Sequence, residues 1–505
     1  MDLFIDTASD RGLSAQLYQQ IRDGISAGRL RPGDQLLPSR HLALQLGLSR
    51  HTVTTAYGRL AAEGFIQGRA GGGSIVAGSA APAPGPALRP AAIMPSRRFA
   101  GWTPEPGLLA VPCCRFDLRA GIPDPRLFPA DAWRRRADAA SRRTAGPLPT
   151  GAPAGEFELR RAIAQWAGRS RSVVADASTV IVTSGAQHAV DLVARVLLEP
   201  GDTVAVEDPG YLPMVRLLRS LGANVVGVPV DDQGLVVGQL PSAARIVYLT
   251  PSHQYPLGVV MSMARRRELL AWAGRHDAAV IEDDYDSEFR YVDRPLEPIQ
   301  RLDDSGRVIY VGSFAKTLSP ALRLGFAVVP PSLAGPIAAL RQLIDWHPPA
   351  AAQLALAHFI GDGQFDKHLR RTGRVYGQRH RILQAALAGP LSADLAAISS
   401  RAGLHITARL RRGRGEDEVR AAAAERGIAT TGLAHYYHAG PAQPGPRHRL
   451  RRHRRRRTAR RRARAQRRAR HAAVSRPRRQ LAHRPALVLS TGPLHRSRMR
   501  SRCGS

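Results

Sequence analysis

The sequence predicts a multidomain protein with a mostly α N-terminal domain, a larger α/β domain and an arginine-rich C-terminal tail. Apolar residues at helical spacing dominate residues 10–78, whereas buried-strand patterns alternate with amphipathic stretches over residues 113–438. Arginine dominates residues 439–505, for which we expect disorder. Residues 79–112 are rich in Ala, Pro and Gly, which is typical of an extended linker between domains.

Composition limits the class of protein. The chain has 505 residues, of which 44% are hydrophobic, so it can form more than one core. It contains no apolar run of the ~18–20 residues that a membrane-spanning helix needs, and its first residues lack the pattern of a signal peptide. Its three cysteines exclude a disulfide framework and a cysteine-rich zinc module. We therefore expect a cytoplasmic protein with no metal site and no membrane contact.

The net charge of +34 is unevenly distributed. The segment 447–505 carries 23 arginines with no lysine and no acidic residue, and the first 446 residues carry a net charge of only +11. The whole chain has just two lysines, Lys316 and Lys367, so any chemistry that depends on lysine is easy to locate.

The N-terminal domain has the pattern of three short helices followed by a hairpin. An apolar stripe over residues 13–27 predicts the first helix, and we expect Ser39 and Ser49 to cap the second and third. Two short strand patterns within residues 65–76 flank a glycine-rich turn. This order of elements is that of a winged helix-turn-helix.

The start of the third helix is the candidate for reading DNA, because a recognition helix enters the major groove by its N-terminal residues. There Arg50 can read a guanine edge, and the Thr52 hydroxyl can reach a phosphate or a base. Arg40 begins the preceding helix and Arg69 lies in the hairpin. From these residues alone, a three-helix protein-interaction module with solvated arginines remains the alternative.

The stretch PGDQLLPSRHLALQLGLSRHTVTTAYGRLAAEGFIQGRAGGGSIV closely resembles the GntR-type DNA-binding domain, over residues 12–78. The chain departs from the usual LPSSR pattern, because its proline stands one place later, at Pro38, while the following arginine keeps its register. The resemblance implies binding to a double-stranded DNA operator. The implied contacts come from Arg40, Arg50, Thr52, Arg69 and Gly71.

In the central domain, polar residues follow four predicted strands. The first strand, 179–183, leads through small residues into a helix, where free backbone amides can face an anion. The others, 204–208, 280–285 and 308–313, end near a tyrosine, a carboxylate pair and a lysine. Taken singly, such residues are also explained as packed loop residues, helix caps or surface clusters.

Together these residues meet the needs of one aldehyde cofactor. Lys316 supplies the amine for a Schiff base, and Asp283 supplies the carboxylate that keeps a pyridine nitrogen protonated. Tyr285 can donate to the 3-hydroxyl and Tyr211 can stack on the ring. The candidates for the phosphate are Ser184, Gly185, Ala186, Ser313 and Arg323. All lie at carboxyl ends of predicted strands, where open α/β sheets bind ligands.

The motifs SGAQ, EDPGY, TPSHQYPLG, IEDDYDSEFRY and YVGSFAKTLSPALRLGF resemble, in this order, the aminotransferase class I fold, which is fold type I of pyridoxal 5′-phosphate enzymes. The resemblance covers residues 115–438 and, with the N-terminal domain, points to the MocR subfamily of GntR regulators. It implies an internal aldimine at Lys316, with Asp283 on the pyridine nitrogen and Tyr285 on the phenolic oxygen. It also implies a homodimer, since fold-type-I sites form at a subunit interface.

Three departures separate this chain from working aminotransferases. The usual Asn-Pro-Thr-Gly turn reads Tyr-Pro-Leu-Gly at residues 255–258. Thr150 stands where relatives often carry an aromatic residue that reaches the partner's cofactor, and His435 stands where an arginine for the substrate carboxylate is expected. His253 is either an acid/base candidate or, as we favour, a loop histidine whose hydrogen bonds are satisfied within the fold.

The leading hypothesis is a transcriptional regulator that binds pyridoxal 5′-phosphate and responds to the cofactor or to an amine or amino acid, through an internal or external aldimine. We expect little or no transaminase turnover. The alternative is a working aminotransferase with an accessory DNA-binding module. A third possibility is a nucleic-acid-binding protein with a cofactor-free core, against which the joint presence of Lys316, Asp283, Tyr285 and Arg323 argues.

The tail has three interpretations: a polybasic arm for nucleic acid, a neutral extension, or a stretch read in a shifted frame from about residue 440. We favour the shifted frame, because GC-rich codons in a wrong frame yield Arg, Ala, Pro and Gly. On this interpretation the small domain lacks its last strand and helix and packs poorly.

Overall fold

The structure is a computed structural model, and it describes residues 3–6, 12–69, 73–77, 95–96, 98–99, 102–103, 114–145, 151–291, 297–398, 400, 402–411, 413–438 and 485–491. The chain forms two compact units, Met1–Ser96 and Arg97–Ser505. The predicted linker and most of the predicted tail lie outside the described residues.

The first unit contains three helices and a hairpin. These are α1 (Leu13–Ser26), α2 (Ser39–Leu46), α3 (Arg50–Ala62), β1 (Ile66–Arg69) and β2 (Gly73–Val76). The strands pair antiparallel, with Ile66 opposite Val76. Apolar faces of all five elements share one core, which includes Leu17, Leu42 and Leu60. This is the order of elements of a winged helix-turn-helix.

Local residue chemistry explains the helix ends of this unit. The Ser49 hydroxyl accepts a hydrogen bond from the Thr52 amide at 3.1 Å and so caps α3. Gly47 takes the left-handed conformation that ends α2, with φ of 65°. The expectation that Ser39 caps α2 is wrong: Ser39 is the first helical residue, and Pro38, which has no capping side chain, occupies the N-cap.

The second unit begins with a short strand and two helices that precede its central sheet. They are β3 (Phe116–Asp117), α4 (Ala130–Thr144) and α5 (Phe157–Arg171). The helices and strands that follow are β4 (Val180–Thr183), α6 (Ala186–Leu197), β5 (Thr203–Asp208), α7 (Leu212–Ser220), β6 (Asn224–Asp231), β7 (Gly234–Leu235), β8 (Ala244–Leu249), α8 (Met263–His276), β9 (Ala279–Asp284), β10 (Val308–Ser313), β11 (Gly325–Val328), α9 (Pro331–Asp345) and α10 (Ala350–Gly361).

These strands form one eight-stranded sheet in the order β4-β11-β10-β9-β8-β5-β6-β7. The pairs from β10 to β6 are parallel, whereas β11 and β7 run antiparallel to their neighbours. Strands such as Val204–Val206 are buried on both faces, as expected for a sheet covered by helices on each side. The carboxyl ends of the parallel strands therefore share one edge.

A smaller four-stranded antiparallel sheet completes this unit, in the order β12-β13-β16-β15. Its elements and their neighbours are α11 (Gln364–Ala388), β12 (Leu395–Ala397), β13 (His405–Leu410), α12 (Glu416–Glu425), β14 (Ile428–Ala429), β15 (Thr431–Gly432) and β16 (Ala486–Ser490). The short strand β14 pairs with β3 instead.

Strand β16 corrects the prediction for the tail. Residues 486–490 lie between β13 and β15, with Val488 opposite Thr407 on one side and Thr431 on the other. All five side chains are buried. The run Ala-Leu-Val-Leu-Ser is uncharged, so it can occupy a central strand although arginines surround it in sequence. The expectations that the whole tail is disordered and that the small domain lacks its last strand are therefore wrong for these residues.

No helix in the described part of the chain combines the length and the apolar character that crossing a membrane requires.

Candidate functional site

Helix α3, the candidate recognition helix, presents its first residues to solvent. Arg50 is exposed, and so are Arg40 on α2 and Arg69 at the end of β1. Thr52 is half-buried, and its hydroxyl lies 2.8 Å from the Ser49 hydroxyl, so it also supports the cap. Gly71, the remaining predicted DNA contact, lies outside the described residues.

The exposed arginines of this unit differ in whether they have protein partners. Arg59 pairs with Glu63 at 2.9 Å, whereas no hydrogen bond or ion pair ties the guanidinium groups of Arg40, Arg50 and Arg69 to any described residue. Unpaired guanidinium groups near a helix start suit DNA, because its phosphates and guanine edges both accept hydrogen bonds from arginine.

In the second unit, strand register brings the predicted phosphate ligands together. Gly325, the first residue of β11, lies opposite Thr183 at the end of β4 and opposite Ser313 at the end of β10. The loop that follows Thr183 and the turn that follows Ser313 therefore meet at the carboxyl edge of the sheet. Arg323 lies two residues before Gly325 and so reaches the same place.

The amino end of α6 forms a cradle with Arg323. Gly185 is the N-cap residue with φ of 113°, and no side chain caps this helix end. A Cβ atom on Gly185 would lie 3.4 Å from an Arg323 guanidinium nitrogen, and one on Gly325 would lie 2.7 Å from the Gly185 Cα. An uncapped helix start with a guanidinium beside it is a typical phosphate site, and the glycines keep it open.

Asp283, on β9, is the buried carboxylate of the site. Its Oδ2 atom accepts a hydrogen bond from the Tyr248 hydroxyl at 2.7 Å, and its Oδ1 atom is buried without a hydrogen-bond partner among the described residues. Burial raises the pKa of Asp283 to about 7, despite the Tyr248 hydrogen bond. A buried acceptor without a donor costs free energy unless a ligand supplies one.

The next residue, Asp284, has the opposite environment. Burial by itself would raise the pKa of this carboxyl, but the Arg171 guanidinium, 2.5 Å from Oδ2, outweighs burial and holds the pKa below its usual value. Tyr310 also donates to Oδ2, at 2.5 Å. Adjacent side chains on a strand point to opposite faces, so Asp284 binds a structural arginine while Asp283 is left for a ligand.

Lys316 follows β10 and is the candidate nucleophile. Its ammonium nitrogen donates a hydrogen bond to the Gly121 carbonyl at 2.5 Å. Burial lowers the pKa of Lys316, and the carboxylates of Asp286 and Asp283 oppose that shift. A lysine with a lowered pKa holds more of the neutral amine, which is the form that attacks an aldehyde.

Tyrosines surround this part of the site. Tyr211, which precedes α7, and Tyr285, which follows β9, each meet the ring of Tyr255 edge to face, at 5.8 and 5.7 Å between ring centroids. The Tyr255 hydroxyl lies 3.2 Å from that of Tyr436. Tyr255, which stands where an Asn-Pro-Thr-Gly turn has asparagine, thus fills the space between the two predicted cofactor ligands.

His253 lies behind Tyr285 and is 1% exposed. Its Nδ1 atom is 3.1 Å from Asp286 Oδ1 and 3.0 Å from the Tyr285 hydroxyl, and its Nε2 atom is 3.1 Å from the Ser400 hydroxyl. Both ring nitrogens therefore have partners within the fold, as the favoured interpretation expects. With His405 and Asp286 it also forms the one group of side chains, within the described residues, whose spacing could suit a metal ion.

Sequence reasoning missed Tyr248, Asp286 and Gly121. Tyr248 and Gly121 contact the site from other strands or loops, and no local pattern marks them. Asp286 carries a weak signal, because it continues the acidic run after β9. Of the other expected positions, His435 is exposed and Thr150 lies outside the described residues.

The residues present fit pyridoxal 5′-phosphate. The unpartnered Oδ1 of Asp283 can accept from a protonated pyridine nitrogen, the Gly185–Arg323 cradle suits a phosphate, and the Lys316 amine suits an aldehyde. These three features suit three chemically different parts of one molecule: its pyridine nitrogen, its phosphate and its aldehyde.

Comparison with known proteins supports both halves of this description. Residues 13–76 match the family model of bacterial regulatory proteins of the gntR family, and residues 120–446 match that of aminotransferases of class I and II.

Solved structures share the fold of the larger unit. The kynurenine aminotransferase of Pyrococcus horikoshii superposes with a TM-score of 0.60 at 28% identity, covering 65% of this chain and 83% of that one. The multiple substrate aminotransferase of Thermococcus profundus gives 0.61 at 26% identity, with coverage of 68% and 89%. The fold and the site thus define a DNA-binding protein with a fold-type-I domain whose cofactor is pyridoxal 5′-phosphate.

Whole-length relatives are regulators. The chain is 37% identical to the "Probable rhizopine catabolism regulatory protein MocR" of Rhizobium meliloti, over 88% of this chain and 91% of the relative. It is 35% identical to the pyridoxine biosynthesis regulator PdxR of Corynebacterium glutamicum, over 86% and 90%. The chain therefore belongs to the MocR subfamily of GntR-type transcriptional regulators, and the interpretation as a working aminotransferase with an accessory module is the weaker one.

Proposed function

We propose that this regulator holds pyridoxal 5′-phosphate at Lys316 and changes its affinity for a DNA operator when the occupancy of that site changes. The effector is the cofactor itself or a primary amine, including an amino acid. When bound, the cofactor supplies an aldehyde that reacts reversibly with primary amines. A ligand acts on DNA binding only through a difference in its affinity for two states of the protein.

The single observation that carries this proposal is the unpartnered Oδ1 of Asp283, which lies in a site that also contains the half-buried Lys316. A cofactor-free core would have no reason to keep a buried acceptor without a donor, since that arrangement lowers stability. We assign the phosphate to Ser184, Gly185, Ala186, Ser313 and Arg323, the phenolic oxygen to Tyr285 and the ring face to Tyr211.

On the DNA side, we assign operator contacts to Arg40, Arg50, Thr52 and the wing from Arg69 to Gly71. The exposed guanidinium groups of the three arginines support this assignment. We keep the domain boundaries proposed from the sequence, 10–78, 79–112 and 113–438, and add residues 486–490 to the last of these domains.

We propose little or no transaminase turnover. An enzyme of this fold must hold the substrate carboxylate, and the position expected for its arginine carries His435, which is exposed. Tyr255 also occupies space beside Tyr211 and Tyr285. Sustained formation of a keto acid from ordinary amino donors would favour the alternative function, an aminotransferase with a DNA-binding module.

We further propose a homodimer formed through the larger unit. Leu343 and Ile344, near the end of α9, and Trp346 just after it, are 85%, 49% and 66% exposed. Three large apolar side chains exposed within four positions mark an interaction surface. Sedimentation of the Leu343→Glu variant should show a shift toward monomer, and an unchanged sedimentation coefficient would argue against this surface.

The test of the main proposal is an absorption spectrum of the purified protein before and after borohydride. A visible band that borohydride removes, with the cofactor's mass left on the peptide containing Lys316, is the expected result. Operator binding measured in the same preparations, with and without added primary amines, then tests the regulatory part. Absence of any band after incubation with pyridoxal 5′-phosphate would overturn the proposal.

A further inference from the structure

Helix α11 of the larger unit carries a row of cations on the face that it exposes to solvent. The opposite face of the helix is buried, through Phe365, His368, Thr372, Tyr376, His380 and Leu387. Five cationic side chains are exposed: Lys367, Arg370, Arg371, Arg374 and Arg381. At 3.6 residues per turn, these five positions fall within an arc of about 100° of the helix surface. We call them the cation row.

No carboxylate neutralises the cation row from within its own helix. Residues 367–393 contain neither aspartate nor glutamate, and the one acidic residue of α11, Asp366, stands before the row and forms no ion pair with it. No hydrogen bond or ion pair joins Lys367, Arg370 or Arg374 to a described residue.

The other two members of the row bind only backbone carbonyls. Arg371 donates to the Leu127 carbonyl, and Arg381 donates to the Gly377 carbonyl of its own helix at 3.4 Å. An arginine side chain has five N–H donors, so both residues keep donors for a ligand.

Arginines that face the protein have a different environment. Arg379, on the flank of the same helix, pairs with the buried carboxylate of Asp124 at 2.8 Å, and Arg143 on α4 pairs with Glu158 at 2.8 Å. Like charges three and four positions apart repel each other and destabilise a helix. A row of one sign without carboxylates is therefore unfavourable until an anionic ligand neutralises it.

The dimensions of the cation row suit a nucleic acid. Lys367 and Arg381 are 14 residues apart, which at 1.5 Å per residue is about 21 Å, the length of about six base pairs. The one large apolar side chain exposed on this part of the helix is Ile382, which is 55% exposed. The face thus lacks the apolar centre of a protein interface and the apolar stripe of a helix that lies in a membrane surface.

We propose that the cation row is a second DNA contact, which binds the phosphate backbone beside the operator whatever its sequence. Phosphate contacts add affinity and fix position but carry no sequence information. The gntR-type domain holds DNA on the same chain, which raises the effective concentration of DNA for a second contact. The inference rests on DNA binding by that domain and is independent of the cofactor site.

The first experiment measures how salt weakens binding of the full chain to a long duplex that contains an operator selected from random sequences. The test variant is Lys367→Gln/Arg370→Gln/Arg374→Gln. Each lost phosphate contact lowers the slope of log affinity against log salt by about 0.9. Between about 50 and 200 mM salt, the wild type should therefore lose on the order of 40-fold more affinity than the variant.

The matched control is Arg135→Gln/Arg219→Gln/Arg267→Gln, which removes three exposed arginines from three other helices, α4, α7 and α8. It has the same net charge as the test variant and the same arginine-rich tail, and it should keep the salt dependence of the wild type. Equal salt dependence in wild type and test variant would overturn the proposal. An equal loss in the control would also overturn it, because net charge alone would then explain the effect.

The second experiment locates the contact by hydroxyl-radical footprinting. The wild type and the control should protect DNA beyond the operator, and the test variant should protect the operator alone. Identical footprints for all three proteins would contradict the inference. Vesicles of phosphatidylglycerol and phosphatidylcholine test the other polyanionic surface: binding that only the test variant loses, with its DNA footprint unchanged, would assign the row to a membrane and overturn the proposal.

Stability provides a further check. The test variant removes repulsion from an exposed face and no packing, so denaturant unfolding without DNA should show no loss of stability. A clear loss would mean that the row has a structural role, which contradicts the inference.

This inference and the proposed operator contacts can fail separately. If Arg50→Ala leaves operator binding unchanged, the proposed recognition helix fails, while the salt dependence still tests the cation row. If Arg50→Ala weakens operator binding and the test variant keeps the salt dependence of the wild type, only the present inference fails.

Discussion

The DNA-binding unit and the cofactor site use charged side chains in opposite ways. Arg40, Arg50 and Arg69 are exposed, and no described residue pairs with their guanidinium groups. Asp283 is buried and Lys316 is half-buried, and burial moves both pKa values toward neutrality, to about 7 for Asp283 and downward for Lys316.

This difference follows from what the two ligands, DNA and a small cofactor, require of the side chains that bind them. DNA presents phosphates along a surface and attracts solvated cations over several ångströms, so its ligands work best exposed. A small cofactor is held by few contacts, which must be strong and directional, and hydrogen bonds and charges act more strongly where water is excluded. We therefore expect substitutions in the buried site to change the stability of the larger unit. Substitutions of the exposed arginines should leave the stability of the smaller unit unchanged.

The largest expected effect is that of Lys316→Ala, which should abolish the borohydride-reducible visible band completely. The reason is that the chain has only one other lysine, the exposed Lys367, in α11. Absorption spectra with and without borohydride measure the effect, and Lys367→Ala is the matched control that should keep the band. A band retained in Lys316→Ala would contradict the assignment.

The second prediction tests how far the buried unit depends on the tail. Val488→Asp should lower the free energy of unfolding of the larger unit by about 3–5 kcal/mol, because it places an unpaired charge in a fully buried central strand. Denaturant unfolding measures this. Val174→Asp, at a residue that is 56% exposed, should change stability little. Equal stability of the two variants would show that β16 is not part of the core.

The third prediction concerns the pH dependence that burial imposes on Asp283. A carboxyl whose pKa is raised to about 7 in the folded protein favours folding only while protonated, so stability falls as pH rises from about 4 to 7. Asp283→Asn removes this loss. The cofactor-free variant should be more stable than wild type at pH 8, by at most about 4 kcal/mol, with little difference at pH 4.

Asp284→Asn is the control for that prediction, with the sign reversed. Because Arg171 holds the pKa of Asp284 low, this carboxylate contributes stability that is present above pH 4 and lost as pH falls further. The variant leaves Arg171 buried without its partner and should be less stable than wild type at pH 8. Urea unfolding at both pH values decides the matter, and a destabilised Asp283→Asn at pH 8 would refute the argument.

The smallest expected effect lies in the exposed unit. Arg50→Ala should weaken specific operator binding by about 1–3 kcal/mol, the usual contribution of a base-reading contact, and should leave the visible band and the stability unchanged. Binding titrations at fixed salt measure it. Arg22→Ala, on α1 and already paired with Asp23, serves as the control. If both variants bind the operator like wild type, the recognition helix has been wrongly placed.

Several features were predictable because they depend on neighbours in sequence. The stripe in α1, the Ser49 cap and the Gly47 turn each follow from residues within four positions of one another. The clustering of the candidate cofactor residues was also predictable, since they stand at strand ends and parallel strands place their carboxyl ends at one edge. Gly185 and Ser313 both reach Gly325 for that reason, and Asp283 lies on the strand next to β10.

Other features depend on register and on contacts across the fold, which no local pattern contains. Tyr248 reaches Asp283 because β8 and β9 pair with Val247 opposite Val280. His253 meets Asp286 and Ser400 across 33 and 147 residues of chain.

Periodicity and strand ends are local properties, so they were enough to predict a helix-turn-helix, an α/β fold and the candidate residues for the cofactor. Contacts across the fold decided that Oδ1 of Asp283 has no hydrogen-bond partner among the described residues and that residues 486–490 of the tail are buried. Strand β16 illustrates the reason: it lies 49 residues beyond Tyr437, yet its pairing partners are β13 and β15. Pairing at that separation depends on which strands the fold leaves open.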